Sequence, residues 1–276
     1  MKPLSVGNVV TAGLRIYRDH FKEYFGLAFI AYLWVFIPIY GWAKFSAINS
    51  LISRLAYGEA TNKPELIKDA RRHIKSRMWG FLIAGILVGL ASLMGFIFLL
   101  LIFGAISILT AFIGGEDMIV GIIIGIVSTL TGLFILFFGT TWLISRFLIF
   151  DLPLAIEENM TPLKSIKRGW MLTKGSVLRL QLIIFVSFLI SLPISIFTNI
   201  FTNILSFILT QIAFSDTVSL NSNLSILFVL AQILIILSSA ALVVPFWQSI
   251  KAVIYYDLLV RKEGLGLDLE DNSNFS

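Results

Sequence analysis

Residues 81–113 read FLIAGILVGLASLMGFIFLLLIFGAISILTAFI and carry no charged side chain. About 20 apolar residues in a helix cross the roughly 30 Å hydrocarbon core of a bilayer. This run exceeds that length, as do Met118–Ile144 and Leu180–Phe214. The whole chain is 58% hydrophobic and 13% charged, where a soluble domain carries about 25% charge. Its mean hydropathy is +0.93. Too little charge is present to coat a water-facing surface, so the chain reads as an all-α integral membrane protein.

Around these runs the cations are sorted. Apart from Lys44, every Lys and Arg falls within residues 2–22, 54–77, 146–179 or 251–262. Cationic loops are retained on the cytoplasmic side, so the four clusters map the inner face. The loop Thr110–Asp117 holds Glu116 and Asp117, the loop Ser215–Asn223 holds Asp216, and neither holds a cation; both are expected outside. Parity then requires two crossings between the first and second clusters. The expectation is one polytopic domain, residues 1–263, with about six spans at 24–40, 42–57, 79–109, 118–150, 177–196 and 224–259. Both termini are then cytoplasmic. A five-span alternative leaves 42–57 interfacial and puts one basic cluster outside. Residues 264–276 read as an acidic, disordered tail, and no cleavable leader precedes the first span.

Basic amphipathic helices are expected beside the spans. In residues 4–22, Val6, Val10, Leu14, Tyr17 and Phe21 form an apolar stripe, the pattern of a helix lying in the membrane interface. Pro64 opens a second such helix, with Leu66, Ala70, Ile74 and Met78 on one face. A third, 162–174, has Thr161 as N-cap, Pro162 at its first position and Lys174–Gly175 as its stop. The pairs Gly85/Gly89 and Gly121/Gly125 suit close helix packing.

A weak internal echo runs through the chain. Basic helices precede segments containing Pro38 and Pro193, and later spans end in Phe150–Asp151–Leu152 and Tyr256–Asp257–Leu258. Arg146 stands five residues before Asp151, Lys251 six before Asp257, and Arg261 four after it. Only the last spacing favours an intrahelical pair. Two readings compete. In one, Arg146, Asp151, Arg168, Lys251, Asp257 and Arg261 form a pocket that grips an anionic headgroup or a partner. In the plainer one, Arg146 and Lys251 snorkel and the two Asp residues mark helix ends.

The run Phe147–Leu–Ile–Phe–Asp151–Leu–Pro–Leu–Ala–Ile–Glu157, followed by Ser165–Ile–Lys–Arg168–Gly–Trp170–Met–Leu–Thr173–Lys–Gly175, resembles one family. It is similar to the membrane domain beside some bacterial glycerophosphodiester phosphodiesterases and to the stand-alone YciC-like membrane proteins, cyanobacterial members above all. Leu14–Arg–Ile–Tyr–Arg18 and Tyr255–Tyr–Asp257–Leu fit the same pattern. The resemblance implies a bacterial plasma membrane, or a thylakoid membrane for a cyanobacterial member. Family catalysis belongs to a separate soluble barrel, so phosphodiesterase activity is not carried over.

No cysteine is present, which removes thiolate chemistry and Cys-ligated metals. His20 and His73 sit in basic amphipathic stretches unsuited to a metal or a general base. No catalytic residue, cofactor or metal is therefore expected. The pI near 9.5 points to anionic headgroups rather than nucleic acid, because the cations flank membrane spans. The leading expectation is a non-enzymatic accessory or scaffold protein that engages anionic lipid or a membrane-protein partner. The alternative is a small-solute transporter lined by Thr198, Asn199, Thr202, Asn203, Gln211, Gln232, Ser238, Ser239 and Gln248. A membrane-embedded lipid enzyme ranks third.

Overall fold

A computed structural model describes residues 4–113, 118–213 and 222–264. Among these the chain is entirely helical: α1 (Val6–Asp19), α2 (Phe21–Trp34), α3 (Tyr40–Ala60), α4 (Ile67–Ser76), α5 (Met78–Ile113), α6 (Met118–Phe147), α7 (Leu152–Ile156), α8 (Pro162–Thr173), α9 (Val177–Ala213) and α10 (Ser222–Glu263). The two loops expected outside lie at least in part beyond the described residues, as does the tail from residue 265.

Four stretches are long and apolar enough to cross a membrane: Met78–Thr110, Ile119–Ile156, Val177–Ile208 and Val229–Glu263. In the first two, only 6% of the most apolar window is buried inside the protein. Exposed Leu, Ile and Phe side chains on this scale need lipid as their solvent. Segments 24–40 and 42–57 differ from the other expected spans. Helix α2 has 14 residues, a rise of about 21 Å. Helix α3 has 21 but carries Lys44, Arg54 and Glu59. Together they form a hairpin. Pro38 cannot continue α2, Ile39 turns at a positive φ of 62°, and Gly41 lets α3 start against the Trp34 carbonyl, where a Cβ would clash.

Helices α5 and α6 pair antiparallel. Gly95 faces Leu143, Gly139 faces Leu99 and Gly132 faces the Phe103 ring. Gly85, Gly89 and Gly125 face open space, so the expected small-residue seam is displaced along the helices. Helices α9 and α10 pair likewise, tied by Thr202 and Ser239 at 2.9 Å. Helix α9 runs unbroken through Pro193, well beyond residue 196. Asp257 lies inside α10 rather than at its end. The echo of the two prolines and two Asp residues therefore has no matching backbone: one member of each pair sits at a break and the other within a helix.

The core gathers at the basic end of the long helices. One cluster joins Val9, Val10 and Tyr17 of α1 to Leu172, Leu180, Phe246, Ile250 and Ile254. A second joins α2, α3 and α4 to Phe81 of α5 and Ala155 of α7. Helix α1 thus packs its apolar stripe on α10, and the Tyr17 hydroxyl donates to the Leu242 carbonyl at 2.7 Å. The helix expected to open at Pro64 starts three residues later, because α3 ends in a Schellman turn. There Asn62 takes a positive φ of 54° and the Lys63 amide reaches back to the Gly58 carbonyl at 2.8 Å. Thr161 does cap α8, accepting from the Lys164 amide, and Gly175 takes the left-handed conformation after it.

Candidate functional site

The last four turns of α10 organise the charged end. Helical spacing puts Lys251 and Tyr255 on one side and Asp257 and Arg261 on another. Short elements meet the first side: α7, which Pro153 starts after the chain leaves α6, and α8, capped by Thr161. Buried Ser165 joins those two, accepting from the Leu154 amide at 3.0 Å and donating to the Phe150 carbonyl at 2.5 Å.

On the first side, Lys251 Nζ lies 2.8 Å from the Asp151 carboxylate, which Ser50 Oγ also approaches at 3.4 Å. Both charges are largely buried, with side chains 12% and 9% exposed. Lys251 therefore does not snorkel; it ties α10 to the turn before α7. One turn on, the Tyr255 hydroxyl donates to Glu157. Glu157 also accepts from Arg168 Nε at 3.1 Å, and Arg168 Nη2 donates to Glu263 at 2.8 Å. Those two carboxylates hold the Arg168 guanidinium still more firmly protonated than usual.

On the second side, Asp257 is almost fully enclosed. Arg179 Nη1 and Arg261 Nε both donate to it, the latter at 3.0 Å, and so does the Leu4 amide at 2.8 Å. The Leu4 carbonyl accepts from Arg179 at 2.5 Å and from Arg261 at 2.7 Å. Two cations and one carboxylate thus pin the chain just before α1.

Arg146 stands apart. It is 5% exposed, its guanidinium lies 3.9 Å from the Trp170 ring centroid, and Nη1 donates to Thr173 at 3.0 Å. No described carboxylate pairs with it. A cation–π contact in place of a counter-ion keeps it inside, where snorkelling would have taken it out.

The six residues read from the sequence therefore form three separate ties and one aromatic-stacked guanidinium, with no shared pocket. Four further participants were not singled out: Arg179, Tyr255, Glu157 and Glu263. Tyr255 was signalled only by its position four residues after Lys251 on α10, while Arg179 and Glu157 lie on other parts of the chain. Arg179 meets Asp257, Arg168 meets Glu263 and Glu157 meets Tyr255 across 78, 95 and 98 residues. Cations also close helix ends here. Arg77 takes the Leu154 and Glu157 carbonyls at 3.0 and 2.6 Å, and Arg54 takes that of Ala155 at 2.5 Å. Lys262 takes those of Met171 and Lys174. These groups satisfy the orphan carbonyls of α7 and α8.

Four of the polar residues weighed for transport, Thr198, Asn199, Asn203 and Ser238, are bound to their own helices. Asn199 donates to Ser195, Asn203 to Asn199, and Ser238 to Leu234. Gln248 instead accepts from Ser53 of α3 at 2.7 Å.

No family model, curated protein or solved structure matches this chain.

Proposed function

We propose that this chain is a non-enzymatic accessory or scaffold protein of a bacterial inner membrane, of the type whose membrane domain it resembles. Its basic end faces the cytoplasm and engages anionic lipid. One observation carries the reading: cations that could serve a site are divided between two states. Those of the α10 end are consumed by internal carboxylates, whereas Lys68 and Arg72 on α4 and Lys164 and Lys167 on α8 are exposed and have no described ion-pair partner. Leu66 and Leu163, beside them, are 74% and 69% exposed. Exposed leucines next to unpaired cations suit a headgroup layer, at roughly 1 kcal/mol per cation.

In place of the six crossings expected, we propose four, with the α2–α3 hairpin staying at the inner side: Tyr40 at its tip meets Trp79 in the first turn of α5, ring centroids 6.4 Å apart, and Lys44 shares a cavity with Arg71 and Lys75 of α4. The tip exposes Val35, Phe36, Ile37 and Ile39, as a segment in hydrocarbon would. A hairpin that crossed the bilayer would instead give six crossings and the same sidedness, since both its ends stay on one face. The native chain has no cysteine, so a single Ile37→Cys discriminates. Labelling by an impermeant maleimide from outside supports six crossings, and protection supports four.

The lipid reading is tested by extracting the protein in mild detergent and measuring the phospholipids it retains. We expect enrichment of anionic over zwitterionic lipid relative to the source membrane. Replacing Lys68, Arg72, Lys164 and Lys167 together by Gln should reduce that enrichment. A wild-type protein retaining lipids at the bulk ratio would refute the reading.

A further inference from the structure

Lys44, the one cation outside the four basic clusters, borders an apolar cavity of about 390 Å³ between the α2–α3 hairpin, α4 and the first turn of α5. Leu27 and Ile30 of α2, Ala47 and Leu51 of α3, and Met78 of α5 wall it. Its volume falls in the range of small-molecule sites. Two further cations line it, Arg71 and Lys75 of α4, both exposed. None of the three has an ion-pair partner among the described residues. Lys44 Nζ sits 3.6 Å from the Trp34 ring centroid. Tyr40 and Trp79, which also line the cavity, meet with ring centroids 6.4 Å apart.

This combination selects its occupant. A small soluble anion would satisfy the cations but leave the apolar walls unused. A neutral lipid would fill the walls and leave three cations unneutralised. An anionic phospholipid uses both: a chain among Leu27, Ala47 and Leu51, and a phosphate among Lys44, Arg71 and Lys75. Arginine is suited to bidentate phosphate contact, and Trp and Tyr favour the headgroup level. The α10 end lacks this character, because its cations already hold carboxylates.

We propose that this cavity binds one anionic phospholipid, with an acyl chain inside it and the phosphate held by Lys44, Arg71 and Lys75. The proposal rests on the reading that the basic end faces anionic lipid, and sharpens it from a charged surface to a site of unit stoichiometry.

Native mass spectrometry of the full chain in uncharged detergent tests it, with titration of dioleoylphosphatidylglycerol against dioleoylphosphatidylcholine. One phosphatidylglycerol should be retained at least tenfold more tightly than phosphatidylcholine. Glycerol phosphate should not displace it. Ala47→Phe, which fills the cavity without changing charge, should abolish this one adduct. Ile30→Trp blocks the cavity from a half-exposed position and serves the same purpose should Ala47→Phe fail to fold. Arg71→Gln with Lys75→Gln should weaken phosphatidylglycerol at least tenfold and leave phosphatidylcholine unchanged. Retention that survives the filling variants, or displacement by glycerol phosphate, overturns the proposal. If wild type shows no phosphatidylglycerol preference, the proposed function falls with it. If the preference survives cavity filling but is lost with Lys164→Gln and Lys167→Gln, only the cavity site falls.

Discussion

Asp257→Asn is the sharpest probe of how the charged end is held. The Asp257 side chain is 1% exposed and sits between Arg179, 20% exposed, and Arg261, 33% exposed. Asn keeps an oxygen that can accept from the Leu4 amide, so the substitution removes charge more than shape. It leaves two guanidinium groups side by side around a neutral amide. Breaking a buried pair by removing one partner costs about 3–5 kcal/mol. Arg261 has a route to water, which favours the lower end, about 3 kcal/mol. At about 2–4 °C per kcal/mol for chains somewhat shorter than this one, the melting temperature should fall by about 10 °C. Intrinsic tryptophan fluorescence during heating, in one detergent at fixed lipid content, reads this directly. A cycle with Arg179→Met separates the pair from the fold: the double variant should be more stable than the sum of the single losses predicts, by about 1–3 kcal/mol. If Asp257→Asn melts within 2 °C of wild type, or the two losses simply add, the carboxylate is not what pins the start of α1.

Further outcomes follow from the same geometry. Lys251→Met alone strands the buried Asp151 carboxylate and should lower the melting temperature more than Lys251→Met combined with Asp151→Leu, because the double variant leaves no unpaired charge. Gly132→Leu and Gly139→Leu should disrupt the α5–α6 hairpin, seen as polydispersity on size exclusion, whereas Gly85→Leu and Gly89→Leu should remain monodisperse. His73 has its pKa pushed below the ordinary imidazole value by burial and by nearby Arg54 and Arg77, against weaker opposing pulls from Glu65 and Glu158. With the folded value depressed, its contribution to stability is complete above about pH 6.5 and is lost as pH falls from there through the folded value. A pH series of melting temperatures from 7.5 to 5 should therefore slope less steeply in His73→Gln. An equal slope would show that other groups carry the pH dependence.

The membrane class and the long helices were legible in the chain because the signals are local. An unbroken uncharged run such as residues 81–113 admits few other solutions, and Thr161–Pro162 and Gly175 set the ends of α8 through their own backbone preferences. The α2–α3 segment was less so. Its apolarity resembles that of a span, but the turn at Ile39 and the burial of Ala47, Ser50 and Leu51 against other helices depend on what packs there. The candidate site was partly legible: the six residues do sit at the charged end, and Asp257 does pair with Arg261 four residues on.

What local spacing could not supply is the partner of each charge. Asp151 meets Lys251 across 100 residues, Glu157 meets Tyr255 across 98 and Asp257 meets Arg179 across 78, whereas Glu157 and Arg168 are 11 apart. Electrostatic attraction acts through space, so pairing is decided by how helices pack and not by position along the chain. The same holds for Lys44. By itself the sequence determined that this cation is an outlier in an apolar segment. Only the tertiary structure, by folding α4 against the hairpin, put Arg71 and Lys75 on the same cavity and left the apolar wall between them.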